Sequence, residues 1–246
     1  MRFWILGLFL GFALFSCEDG TVITPSDSPE AYHPLGVGKF WIYQVDSTIY
    51  DDLGNTICPT SGFVKEELTS VLSEENLTTV YVLERSYKTD MADPWTITDI
   101  WTLTHGRNYI QRSEENLRFV KMQTPLRVGN MWEGNQFDSD LILTVKDEAI
   151  AIYKNWEYEV LELNVAEEIG GTSYDDLMIL QQADDENLIE RRYSLEKYAR
   201  DVGLVYREME IFDTQCDGNP ADCIPLTWLE KAERGYAMTQ ILIDHN

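Results

Sequence analysis

Histidine is scarce in this chain. Only His33, His105 and His245 occur in 246 residues. His33 and His245 fall near the two ends of the predicted folded part, where a packed scaffold is expected to hold neither. His105 falls in a predicted turn, Thr104-His105-Gly106, and reads as a surface residue. No H-E-x-x-H, C-x-x-C, P-loop or dinucleotide glycine pattern is present, and Gly170-Gly171-Thr172-Ser173 lacks the frame of a nucleophile elbow. Zinc-ligand spacing is missing as well. The sequence therefore predicts no catalytic residue, no metal and no cofactor. Basic residues are also few, 19 Lys and Arg against 43 Asp and Glu, for a net charge of −24. A field of that sign repels phosphate backbones, which argues against nucleic-acid binding, and it argues equally against a basic patch for anionic lipid head groups. The carboxylates themselves are too many to single out a pair. Asp175-Asp176 and Asp184-Asp185-Glu186 read as solvated loop charge. Asp213, Asp217, Asn219 and Asp222 could offer oxygens, but their spacing fits no EF-hand.

Only one long apolar run exists, and it lies at the start. Phe3 to Ser16 follows Arg2 without a charge and is too short for an ordinary membrane-spanning helix, which needs about 20 residues. The run ends in Leu14-Phe15-Ser16-Cys17, which resembles the lipobox of bacterial lipoproteins, with Phe15 bulkier than that pattern prefers. The resemblance implies that residues 1–16 are a removable signal peptide and that Cys17 carries acyl chains that hold the protein to a lipid bilayer. More than one chain is needed for stable anchoring. Residues 17–33 are then a polar, acidic tether, and a β-rich domain is expected over 34–246.

β-period alternation dominates that domain. Runs at 40–46, 79–84, 95–104, 141–145, 156–165 and 204–212 are rich in β-branched and aromatic residues. The pentapeptide Ser73-Glu74-Glu75-Asn76-Leu77 recurs at Ser113-Glu114-Glu115-Asn116-Leu117, with a variant at Asp184-Asp185-Glu186-Asn187-Leu188. All three are predicted hairpin tips, because Asn tolerates left-handed backbone and acidic neighbours stay solvated. A capping box at Thr227-Trp228-Leu229-Glu230 predicts a short helix running to Gly235. A final strand over 236–243 could close the sheet. The fold class expected is mainly β: an antiparallel sheet or open half-barrel with a short C-terminal helix.

A longer echo divides the domain. Pro34-Leu35-Gly36-Val37-Gly38-Lys39-Phe40-Trp41 and Pro125-Leu126-Arg127-Val128-Gly129-Asn130-Met131-Trp132 share the frame P-L-x-V-G-x-x-W. It predicts an extended approach, a glycine-dependent turn and a strand that buries tryptophan, and it suggests two pseudo-repeated halves, 34–124 and 125–246.

Two constellations are candidates for sites. Cys216 and Cys223 flank a turn-rich loop and form the best disulfide pair; the alternative, Cys58 paired with one of them, stays open. Trp95 and Trp101 lie an even number apart on one alternating run, so with Asp99 they should share a face, either core or a stacking platform for a lipid or glycan.

The run Tyr32-His33-Pro34-Leu35-Gly36-Val37-Gly38-Lys39-Phe40-Trp41-Ile42-Tyr43 resembles the start of many uncharacterised envelope lipoproteins of Bacteroidetes-type bacteria. Tyr198-Ala199-Arg200-Asp201-Val202-Gly203-Leu204-Val205 is similar to a strand-turn-strand run of the same group, with Asp201 where glycine is common there. Glu18-Asp19 resembles their acidic surface-export tags. The resemblance implies a β-rich outer-membrane lipoprotein, surface-exposed rather than periplasmic, and brings no shared activity with it. Taken with the missing catalytic motifs, the expected role is a non-catalytic binding or accessory subunit with an envelope protein partner. A carrier of a lipid or glycan is the alternative, and a carboxylate- or serine-dependent hydrolase is the second alternative.

Overall fold

The computed structural model describes residues 28–51, 56–137, 141–145, 148–216 and 223–246. Cys17, the signal segment and most of the tether lie outside these residues, as do Asp217, Asn219 and Asp222.

Twelve antiparallel strands form one sheet in the order β6-β5-β4-β3-β2-β1-β14-β13-β12-β11-β10-β7. The strands are β1 (Phe40–Asp51), β2 (Thr56–Glu75), β3 (Thr78–Lys88), β4 (Thr96–Gly106), β5 (Tyr109–Glu114), β6 (Leu117–Gln123), β7 (Met131–Trp132), β10 (Tyr158–Ile169), β11 (Thr172–Glu186), β12 (Glu190–Ala199), β13 (Gly203–Asp213) and β14 (Arg234–His245). A separate two-stranded ribbon, β8 (Leu143–Val145) with β9 (Glu148–Ile150), lies in the long connection before β10. The sheet curls until its outer strands meet. The Val120 amide of β6 donates to the Gly134 carbonyl at 2.7 Å, and the Trp132 indole donates to the Val120 carbonyl at 2.8 Å. The result is a nearly closed barrel with almost no free edge.

The order contains a repeat. β1 to β6 form one meander, and β7 with β10 to β14 form a second with the same sequence of neighbours. The first strand of each meander closes on the last strand of the other: β1 on β14, and the β7 segment on β6. The two P-L-x-V-G-x-x-W frames take equivalent places. Lys39 N–H donates to Gly36 O at 3.1 Å, and Asn130 N–H to Arg127 O at 3.0 Å. Gly38 (φ 89°) and Gly129 (φ 77°) supply the left-handed third position that this turn type requires. Each frame then docks on its neighbouring strand by a reciprocal pair of backbone bonds, Gly38 and Lys39 with Leu68, Gly129 and Asn130 with Val160. Trp41 and Trp132 are both buried.

Alternating hairpins put successive turns at opposite ends of the barrel. The lower end carries the turns at 107–108 and 200–202, both frames and Asn246, while the β10–β11 tip at Gly170 folds back against Ile241 on the outer wall. The upper end carries the turns at 115–116 and 187–189, the 133–157 connection and the C-terminal helix. All three acidic pentapeptides are hairpin tips, but the two identical ones are not used identically. The first turns at Asn76-Leu77 (φ 49° and 67°), and the second turns one residue earlier, with Glu115 at φ 54°.

Four expectations need correction. The packed chain starts before residue 34. Pro29–Ala31 forms a 3-10 turn, Tyr32 is fully buried, and the Asp201 amide donates to Ala31 O at 2.7 Å. Residues 28–33 therefore belong to the packed chain, because the ring of Tyr32 has a slot to fill beside the β12–β13 turn. His33 is accordingly held in the interior, 5.6 Å from Trp41 ring to ring. The helix spans only Trp228–Lys231, labelled α1 here, and Gly235 belongs to β14 rather than ending the helix. Gly235 sits at φ 116° against the Ile211 carbonyl, where any side chain would collide. The capping bonds do form, with the Glu230 carboxylate accepting from the Thr227 amide at 2.8 Å. Finally, His105 lies within β4, half-buried with its Nε2 against the Glu30 carboxylate.

Candidate functional site

Chemistry-bearing side chains converge inside the barrel. On β12, Arg192, Ser194, Glu196 and Tyr198 alternate inward and are all buried. Arg207 of β13 lies opposite Glu196 in the strand register and carries its charge inward with it. The β11 ladder shifts between Gln181 and Ala183, and the extra residue, Gln182, turns its amide inward. From the other half, β6 contributes Lys121, β5 contributes Arg112 and Glu114, and β2 contributes Glu66.

Glu196 is the hub. Its Oε1 meets Lys121 Nζ at 2.6 Å and Arg207 Nε at 3.4 Å. Its Oε2 accepts from Tyr198 OH at 2.6 Å and Gln182 Nε2 at 2.8 Å. Ser194 Oγ donates to Gln182 Oε1 at 2.8 Å, fixing that amide. Arg112 pairs with Glu114 and, at 3.5 Å, with Glu66. Three cations and three carboxylates thus neutralise one another where burial alone would be prohibitive. Burial pushes the Glu196 carboxyl up, but the charges of Lys121 and Arg207 outweigh it and hold the group at about 2. Burial lowers Lys121 to about 8 despite Glu196. Burial, reinforced by the Arg112 and Lys121 charges, lowers His33 to about 3, so the imidazole is neutral at pH 7.

The cluster leaves little free volume. One cavity, bordered by His33, Trp41, Glu66, Arg112, Lys121 and Tyr198, measures about 10 Å³, and a second, between Lys121, Tyr153, Tyr158 and Arg207, also about 10 Å³. Each has room for a molecule no larger than water. Larger concavities lie on the outer wall. One of about 460 Å³ runs beside α1, lined by Asp46, Thr60, Glu208, Glu210, Leu229 and Thr239. Another of about 460 Å³ lies under the β10–β11 hairpin, lined by Glu167, Tyr193, Leu195, Lys197, Tyr206 and Ile241. In that second groove Lys197 bridges to Glu167 at 2.6 Å. Among the described residues no three His, Cys, Asp or Glu side chains converge to hold a metal ion.

The residues singled out from sequence are placed as follows. Trp95 precedes β4 and lies under the Lys88 ammonium, 4.3 Å from Nζ to ring centroid. Trp101 lies between Arg85 and Arg112, 5.1 and 5.2 Å from its ring. The expected common face is not formed. The β3–β4 ladder shifts so that Asp99 faces Arg85 and Ile97 faces Ser86, and the extra Thr98 breaks the alternation between the two tryptophans. Asp99 is bonded to Arg85 at 3.1 Å, and neither tryptophan lines any of the four cavities above. Cys216 and Cys223 are joined in a disulfide with a Cα–Cα distance of 5.8 Å, and Cys58 in β2 takes no part in it. Asp213 is committed to Arg192, at 2.6 Å. Sequence reasoning missed the interior cluster entirely.

No family model matches the chain, and no curated protein matches it. Among solved structures, it is similar to a protein of Parabacteroides distasonis ATCC 8503 described provisionally as a lipoprotein, with 11% identity and a TM-score of 0.36 over 87% of this chain and 97% of that one.

Proposed function

We propose that this protein is a membrane-anchored lipoprotein of the bacterial outer membrane, acylated at Cys17, that serves as a non-catalytic binding or accessory subunit. The observation that carries the binding role is an interior filled, among the described residues, by the engaged side chains around Glu196. A carrier needs a chamber, typically some hundreds of Å³, whereas the two interior cavities described above each measure about 10 Å³. Titratable groups that could serve a hydrolase converge in that same closed interior and are already engaged with one another. Recognition therefore falls to the outer wall, where the two grooves lie, and to the turns. The lipid anchor and the outer-membrane location rest on the Leu14-Phe15-Ser16-Cys17 run and the acidic Glu18-Asp19 that follows it.

The test is a pull-down of the tagged, acylated protein from detergent-solubilised envelopes of its native host, read by quantitative mass spectrometry. A stoichiometric envelope partner is the expected result. A partner-free preparation would sink the accessory role and move attention to small ligands in the Tyr193–Tyr206 groove, the only one of the two with aromatic walls.

A further inference from the structure

We infer that the lower end of the barrel is a membrane-resting face, where Val37 and Val128 of the two repeated frames meet the acyl-chain boundary of the bilayer. The inference rests on the lipoprotein reading above and adds to it an orientation and a contact surface.

The first observation is chemical. The turns Gly36–Lys39 and Arg127–Asn130 require glycine in their third position, and nothing about them requires an apolar second position. Yet both carry valine there, and both valines are exposed, by 58% and 61%. The neighbouring leucines of the frames do what apolar residues do in folding: Leu126 is buried and Leu35 packs against the core. The valines leave more than half of their surface in solvent, and the same placement occurs twice. Exposed branched residues at turn tips, with a lipid chain nearby, are the elements of an interfacial contact.

The second observation is where the chain emerges. Pro29 to Tyr32 lies at the lower end. Tyr32 OH donates to Asp176 at 2.9 Å beside the β12–β13 turn, and Glu30 meets His105 near the β4–β5 turn. Ten residues lie between Cys17 and Ser28, eleven chain steps, a reach of at most about 40 Å. A 12-residue strand such as β1 is itself roughly 40 Å long. A bilayer at the lower end leaves the linker slack. A bilayer at the upper end would need the linker stretched along the whole wall. The upper end has exposed apolar residues too, Ile189 and Leu226 among them. The linker length assigns those to the side facing away from the lipid.

The experiment uses the full chain, processed in cells and carrying Cys58→Ser, with one added cysteine labelled by an environment-sensitive nitrobenzoxadiazole dye. Val37→Cys and Val128→Cys report on the lower end, Ile189→Cys and Leu226→Cys on the upper. Each is reconstituted into phosphatidylcholine vesicles with and without brominated lipid, and intact mass checks the acyl groups on Cys17. Circular dichroism confirms that each variant folds. At least about two-fold stronger quenching at 37 and 128 than at 189 and 226 is the expected result. Equal quenching at both ends, stronger quenching at the upper end, or none anywhere on acylated protein would overturn the orientation while leaving the lipoprotein reading intact. A Cys17 without acyl groups would overturn that reading, and this inference with it.

Discussion

Lys121 and Glu196 meet across the barrel interior, Nζ to Oε1 at 2.6 Å, from strands 75 residues apart that belong to different halves of the sheet. Glu196 simultaneously holds Arg207, so two inward-facing cations depend on it. Replacing it with leucine alone should lower stability by about 3–5 kcal/mol, the usual consequence of stranding buried charge. The double variant Lys121→Met with Glu196→Leu should recover part of that loss, with Arg207 still stranded. Urea unfolding of the two single variants and the double closes the cycle; strict additivity would show that the pair is not coupled.

Acid should destabilise the fold through His33. Its folded-state pKa, about 3, lies below the ordinary value of 6.5, so the unfolded chain binds the extra proton between those limits. Stability from this group is full above pH 6.5 and is lost as pH falls toward 3, at roughly 1 kcal/mol per pH unit within the window. Glu196 adds a loss of the same sign lower down, as pH falls from 4.5 toward 2. Chemical denaturation between pH 7 and 5, where Glu196 is silent, isolates the histidine. The variant His33→Phe should flatten that segment, and an unchanged slope would assign it to other groups.

The glycines of the fold should separate into two classes. Gly38→Ala and Gly129→Ala meet open space and pay only for left-handed backbone, about 1 kcal/mol each. Gly235→Ala should be far worse, because its Cβ would stand 1.9 Å from the Ile211 carbonyl oxygen. Thermal melts of the three variants check the ranking, and similar losses for all three would contradict it.

Tyr32 should behave as a core residue although it precedes the first strand. It is 0% exposed, so Tyr32→Ala should lower stability by about 3–4 kcal/mol. Tyr32→Phe, which loses the bond to Asp176 and keeps the ring, should lower it by about 1 kcal/mol. Calorimetry on both variants distinguishes a packed anchor from a loose leader.

Legibility followed how local each signal was. The repeated frames, the hairpin tips and β4 rest on a few consecutive residues, and the β-rich class followed from them. β2 escaped notice because Pro59 and Gly62 interrupt it. Pro59 is tolerated since β3 pairs only from Phe63 onward and leaves that stretch bonded to β1 alone. The interior cluster escaped for a deeper reason. In Tyr193-Ser194-Leu195-Glu196-Lys197, alternation reads Leu195 as the inward residue, yet Ser194 and Glu196 are the ones fully buried. Polar side chains go inward there because partners on β6, β11 and β13 complete them, and no local pattern reveals partners so far away in sequence. The paired tryptophans were misread by one inserted residue, Thr98, which is invisible until the neighbouring strand is known.

The head-to-tail closure of the two meanders has a consequence for where such a chain could be cut and rejoined. The side-chain amide of Asn246 donates to the Gly38 carbonyl at 2.9 Å, so the last residue lies beside the first frame, just as Gln123 lies beside the second, its carbonyl bonded to Asn130 at 3.4 Å. The passage from β6 into the second frame is therefore the covalent twin of a gap between Asn246 and Pro34. A circular permutant joined from Asn246 to Ser28, which keeps the buried Tyr32, and opened between Gln123 and Pro125 would present the same twelve strands in the same ring. In this sheet the two halves are interchangeable in order, and the ring has no intrinsic first strand.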